Sequence, residues 1–223
     1  MVGPPIRHTG RPRFIALSRN RQLSPVEGFT PAELRKLRSL KEPYGIARFL
    51  DAMPYHLATT AWSPRRVLRE GTAHCLEGAI FAAAALRVLG HPPTVIDVEA
   101  VNDTDHVVAV WRERGHWGLV GTSNYSGLRY REPVYRTLRE LVMSMFEDYF
   151  NLRRERTLRT FSQPVDLSRF DDRDWMTTEK EVWFIPEYLL DIPHTALMTK
   201  AMAKRLHRLD RRSFDAGLHG HRW

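Results

Sequence analysis

The sequence predicts an α+β fold in which one long helix packs on a small antiparallel sheet, with helical additions before and after that core. Two observations carry the prediction. In "CLEGAIFAAAALRVLG" the apolar residues Ala79, Ile80, Ala83, Leu86 and Leu89 recur at helical spacing and Gly90 supplies a stop. After "GHPP" the period changes: "TVIDVEAV", "HVVAVWRE" and "HWGLV" are β-rich, and the turn at Arg114 and Gly115 makes the last two antiparallel neighbours.

The elements follow in chain order. Pro4, Pro5, Gly10 and Pro12 predict an irregular start. "TPAELRKLRSL" is a capped amphipathic helix, with Thr30 as N-cap, Pro31 at the first position and Glu33 as the carboxylate of a capping box. "YGIARFLDAM" adds a short helical piece before Pro54. Thr72 is placed to cap the long helix, which puts Cys75 in its first turn. Beyond the strands, "REPVYRTLRELVMSMFEDYFN" reads as one further helix, with Leu138, Leu141, Val142, Met145, Phe146 and Tyr149 at helical intervals. From Asn151 the chain is charged and Trp-containing, then forms a basic helix "TALMTKAMAKRLHRLDRR" and a frayed end "GLHGHRW". Three regions are expected: a basic arm and helix over 1–50, a core over 51–150, and an appendage over 151–223 that buries Trp175, Trp183 and Tyr188 against the core.

Composition narrows the class of function. With 223 residues, 43% of them hydrophobic and 27% charged, the composition fits a soluble globular protein that is expected to need no staples. Its single cysteine excludes an intramolecular disulfide framework, and no secretory segment opens it, so a reducing cytoplasm is the expected compartment. The longest apolar run, Ala79 to Leu86, is far too short for a membrane span. The formal charge of +8 is concentrated at the start, where residues 1–50 hold 10 Lys/Arg against 3 Asp/Glu. Without a helix-turn-helix, zinc-finger or RNP pattern beside it, that arm is read as solvated, with no specific nucleic-acid partner.

The chemistry centres on Cys75. Unpaired amides and the helix dipole at a first turn stabilise a thiolate, so the thiol pKa is expected to fall. His106 opens the second strand, 31 residues on, where it can meet the sulfur as general base and form a thiolate–imidazolium pair. A polar group must then fix the imidazole tautomer.

"EGTAHCLEGAIFAAAALRVLGHPPTVIDV", "DHVVAVW" and "GHWGLVGTSN" resemble the transglutaminase-like thiol enzymes, in a G-x-x-x-C-x-E/D-x-A helix, a "G-h-P" exit, a His-led strand and a Trp strand. The resemblance covers roughly Arg65 to Asn124. It implies a papain-like α+β core and Cys-His-Asp acyl transfer to water or to an amine, with no metal or organic cofactor. The family's Asp, about four residues after the Trp, is replaced here by Gly121; Asn124 is the substitute expected to orient His106 through its amide oxygen. The Cys75 amide is expected to form part of an oxyanion hole with a second donor from Trp62 or Tyr55. Arg129, Tyr130 and Arg131, just past Asn124, are candidates for holding an acidic or carboxylate-bearing peptide or amide substrate. The alternative from a different class is a binding module that keeps the cleft, lacks the third charge and docks a partner. His219 and His221 have no further ligands at zinc-site spacing, so no metal site is expected there.

Overall fold

The structure is a computed structural model and describes residues 26–222. The basic arm expected before that range lies outside the described residues. Helix α1 (Pro31–Arg38) begins as the sequence requires: Thr30 Oγ1 accepts from the Glu33 amide while Glu33 accepts from the Thr30 amide. Helix α2 (Pro43–Asp51) and α3 (Pro64–Glu70) also start on proline, and α3 stops at Gly71, whose φ of 66° is the left-handed cap that a side chain would strain. Helix α4 (Cys75–Val88) is the centre of this layer, and every residue from Leu76 to Arg87 is buried. Its Ala-rich stretch lets neighbours approach from all sides. At Gly78 that approach is closest, since a Cβ there would lie 2.6 Å from Thr122 Cβ. The cap differs from expectation: His74 is the N-cap of α4, and Thr72 donates to the Pro54 carbonyl instead.

The sheet is antiparallel, with strands β1 (Thr94–Ala100), β2 (His106–Glu113), β3 (His116–Val120), β4 (Tyr130–Tyr135), β5 (Leu158–Ser162), β6 (Val165–Asp166) and β7 (His194–Ala196). The order is β4-β3-β2-β1-β5-β7, with β6 also pairing β1. The three strands expected from the sequence are the middle of this sheet, in register from Thr94↔Val110 to Val98↔His106 and from Ala109↔Val120 to Glu113↔His116. Alternation along β1 and β2 makes two cores. Val95, Val107, Ala109 and Trp111 pack toward α4, while Ile96, Val98, Val108 and Val110 face the other side with Leu141, Met145 and Tyr149.

Two expectations about the later chain are corrected. The segment read as one helix over 131–151 is β4 followed by the short helix α5 (Leu138–Met143) and turns. The region beyond Asn151 is no appendage: β5 and β6 pair directly with β1, so the sheet is incomplete without it. The expected basic helix is divided into β7, α7 (Lys200–Ala203) and α8 (Arg211–Gly217), preceded by α6 (Phe184–Asp191). A 3₁₀ turn over Leu167–Arg173 locks this half to α4 through buried Arg87, which donates to both Asp171 oxygens at 2.6 and 2.8 Å while Trp175 Nε1 donates to Asp171 at 3.0 Å. Among the described residues no helix is long and apolar enough to cross a membrane.

Candidate active site

Cys75 is the first residue of α4, and a loop crossing in front of it is held by one carboxylate. Glu77 is wholly buried and accepts from Thr60 Oγ1 at 2.6 Å, from the Trp62 and His74 amides at 3.2 Å, and from His56 Nδ1 at 3.1 Å. These bonds tie residues 56–62 to the start of the helix. Just before that loop, a parallel bridge between Tyr55 and Ala73 sets the phenol beside the thiol. Tyr55 lines both cavities that Cys75 lines. Trp62, the other expected donor, lines neither; its ring lies 4.3 Å from that of His56, and its indole nitrogen has no partner.

The half-buried thiol therefore has two open sides. One is a cavity of about 500 Å³ walled by Leu57, Ala58, Trp183, Pro186 and Leu189, with Asp97 and Asp105 at its floor. The other, about 250 Å³, is walled by His106, Asn124, Tyr125, Tyr149 and His221. The structure thus brings Cys75, His106 and Asn124 to one cavity, as the sequence suggested.

The roles within that cavity are distributed differently. His106, only 4% exposed, has its Nε2 3.1 Å from the Leu128 carbonyl oxygen. A carbonyl only accepts, so Nε2 carries the proton and Nδ1 is left as the basic nitrogen. Asn124 does not orient the ring. Its amide is engaged by the far end of the chain: Oδ1 accepts from the Arg222 amide at 2.9 Å, and Nδ2 donates to the Arg222 carbonyl at 2.8 Å and faces His221 Nε2 at 3.1 Å. The segment expected to be frayed is tied down through residue 222. The reason is geometric: Leu128 returns to the sheet beside Gly121, and its carbonyl reaches the imidazole first.

Electrostatics also depart from expectation. Burial pushes the Cys75 thiol up, against the opposing pull of the Val107 and Leu76 backbone and the Tyr55 hydroxyl, so desolvation outweighs the helix-terminus field. Burial likewise lowers His106 to about 4, the Leu128 carbonyl opposing it. The resting pair is a neutral thiol and a neutral imidazole, and no thiolate–imidazolium pair is preformed. Tyr55 is raised by burial and by the neighbouring thiol, and so stays a hydrogen-bond donor.

Arg129, Tyr130 and Arg131 are committed elsewhere. Arg131 donates to Asp148, to Ser144 and to the carbonyls of Gly127 and Tyr130; Arg129 pairs with Asp51; Tyr130 donates to Glu132; none lines either cavity. His56, His74 and Glu77 have ligand atoms close enough for a metal, but His74 Nε2 donates to the Thr60 carbonyl at 2.8 Å and His56 Nδ1 donates to Glu77, so both nitrogens are spent. Sequence reasoning missed the Leu128 carbonyl, which as a backbone group leaves no residue signal. It also missed Asp97, although an acid between the buried residues Ile96 and Val98 was visible. A scan against family models finds none that matches the chain, and a search of curated proteins finds no match.

Proposed function

We propose that the chain is a thiol acyl-transfer enzyme of transglutaminase-like type that hydrolyses an amide or peptide bond through Cys75 and His106. The observation that carries this reading is that a first-turn thiol and a buried, tautomer-fixed imidazole line one cavity. Sulfur attacks the substrate carbonyl as His106 takes the thiol proton, because a neutral pair can ionise only as the new C–S bond forms. The oxyanion receives the Cys75 amide and the Tyr55 hydroxyl. The imidazolium then protonates the departing amine; water, deprotonated by His106, cleaves the thioester and restores the thiol.

Desolvation has a consequence for substrate. The walls of the larger cavity are Leu57, Ala58, Trp183, Pro186 and Leu189, which suit an apolar group next to the scissile carbonyl, whereas the arginines that would have favoured an acidic substrate are paired. A free thiol nucleophile suits a reducing, cytoplasmic setting. The competing reading, a binding module, is favoured by one feature: among the described residues no carboxylate hydrogen-bonds to His106. Apolar acyl-amino-acid p-nitroanilides and p-nitrophenyl esters separate the two. Turnover by the wild type and none by Cys75→Ala supports the enzyme. No turnover of either series, with a thiol no more reactive than free cysteine, sinks it.

A further inference from the structure

On the same side of the sheet as the thiol, Asp97 and Glu99 stand two residues apart on β1 and point to the same face, the face that packs on α4. The register carries a row over two strands. Glu99 lies opposite Thr160 on β5, and Ser162 of β5 lies opposite His194 at the start of β7. The Asp97 amide donates to Ser162 Oγ at 2.9 Å, so Asp97 and His194 flank a serine. Strands β1 and β7 are two ladder spacings apart, roughly 9–10 Å. The small side chain of Ser162 lets the carboxylate and the imidazole meet above it. His194 Nε2 is 3.1 Å from Asp97 Oδ2 and 3.9 Å from Glu99 Oε1.

The imidazole has a defined direction. Its Nδ1 donates to the Ile192 carbonyl at 2.8 Å, which turns Nε2 toward the two carboxylates, where it is hydrogen-bonded to Asp97 Oδ2. Glu99 is oriented from behind in the same way, because Thr160 Oγ1 donates to its other oxygen, Oε2. A ligand histidine held by a backbone carbonyl and a ligand carboxylate held by a hydroxyl are the arrangement of groups that orients ligands around a metal. Ligand atoms at about 2.1 Å from one ion stand roughly 3.0–3.4 Å apart in octahedral or tetrahedral geometry; the 3.1 Å to Asp97 lies in that range, and the 3.9 Å to Glu99 needs a small rotation of the half-exposed glutamate to enter it. In the His56–His74–Glu77 group, by contrast, the His74 Nε2 is taken up by the Thr60 carbonyl.

Charge points the same way. In a chain with 34 Lys and Arg, no Lys or Arg among the described residues forms an ion pair with Asp97 or Glu99, and Asp105 lines the same cavity as Asp97. The side chains of Asp97 and His194 are 4% and 9% exposed, so water does little to screen the crowding.

We infer that Asp97, Glu99 and His194 form a binding site for one divalent transition-metal ion, with two carboxylate oxygens and one imidazole Nε2 as ligands and with Asp97 at the edge of the cavity that Cys75 lines. One nitrogen with two oxygens suits Zn²⁺, Mn²⁺ or Fe²⁺. The site stands independently of any reaction at the thiol.

The test is calorimetric titration of EDTA-stripped, reduced protein with Zn²⁺, paired with Co²⁺ absorption. The wild type takes up one equivalent and gives visible d–d bands. His194→Ala and Asp97→Asn bind at least 100-fold more weakly and lose the bands; Thr160→Val, which removes only the orienting hydroxyl, weakens binding about 10-fold. His56→Ala and Cys75→Ser bind as the wild type does. Thermal unfolding with and without Zn²⁺ checks folding: the wild type is stabilised by the ion and a folded His194→Ala is not. If a substitution prevents folding, the Co²⁺ spectrum of the wild type together with Thr160→Val decides. Absence of binding by the wild type overturns the inference. So does binding that survives His194→Ala, or that disappears with His56→Ala or Cys75→Ser.

Discussion

Replacing His106 by glutamine should remove a specific part of the acid sensitivity of the fold. The imidazole is buried and is held neutral, with its pKa lowered from 6.5 to about 4 chiefly by desolvation. The unfolded chain therefore binds more protons than the native one between those values, and stability falls as pH drops through that window. From the two values, the loss between pH 7.5 and pH 5 is about 2 kcal/mol, rising toward about 3 kcal/mol below pH 4. Glutamine keeps an N–H donor for the Leu128 carbonyl, 3.1 Å from Nε2 in the wild type, but does not titrate. Urea unfolding at pH 7.5 and pH 5.0 should show the wild type losing about 2 kcal/mol more than His106→Gln, because the other titrating groups are common to both. Equal losses would mean that His106 is solvated or already charged in the native state, and the neutral resting pair would be wrong.

Three more outcomes test the packing that holds the site. Asp171→Ala leaves the Arg87 guanidinium buried without its bidentate partner and should cost about 3 kcal/mol in urea unfolding at neutral pH. Gly78→Ala forces a Cβ to within 2.6 Å of Thr122 Cβ; it should cost about 1–3 kcal/mol by the same assay and slow any reaction at Cys75, one turn away. Truncation after Asn151 strips β5, β6 and β7 from the sheet and bares the β1 edge, so the product should be insoluble or lack a cooperative transition; a soluble, cooperatively unfolding product would refute the single-sheet architecture.

Local pattern made the centre of the fold legible. The capping box at Thr30 and Glu33, the Ala-rich helix and the three central strands are all signalled by neighbours in sequence, and each formed where expected. The later chain was harder because its signals are non-local. Leu141, Val142, Met145 and Tyr149 have helical spacing, yet only 138–143 is helical, and turns present the remainder to the same core. Pro133 lies in β4, which is tolerable because β4 is an edge strand. Strand β7 has three residues and exists only because β5 offers an edge, which no window of "IPHTALM" reveals. At the site, the order Cys75 then His106 was readable from helix and strand boundaries. The charge state was not, because the helix terminus is a sequence feature while burial depends on distant segments that meet only in the fold, as Tyr55, Leu128 and Tyr149 do around the cavity shared by Cys75 and His106.

The most direct test of the account is the rate at which an activated ester acylates Cys75 at pH 7, followed by intact mass in single-turnover conditions for wild type and His106→Ala. A positioned general base contributes about 10²–10⁴ in rate. The account predicts a thioester on Cys75 in the wild type, forming at least about 100-fold faster than in His106→Ala and increasing in rate as pH rises through about 4, where His106 loses its proton. Equal rates in the two proteins, or an adduct at any residue other than Cys75, would contradict it.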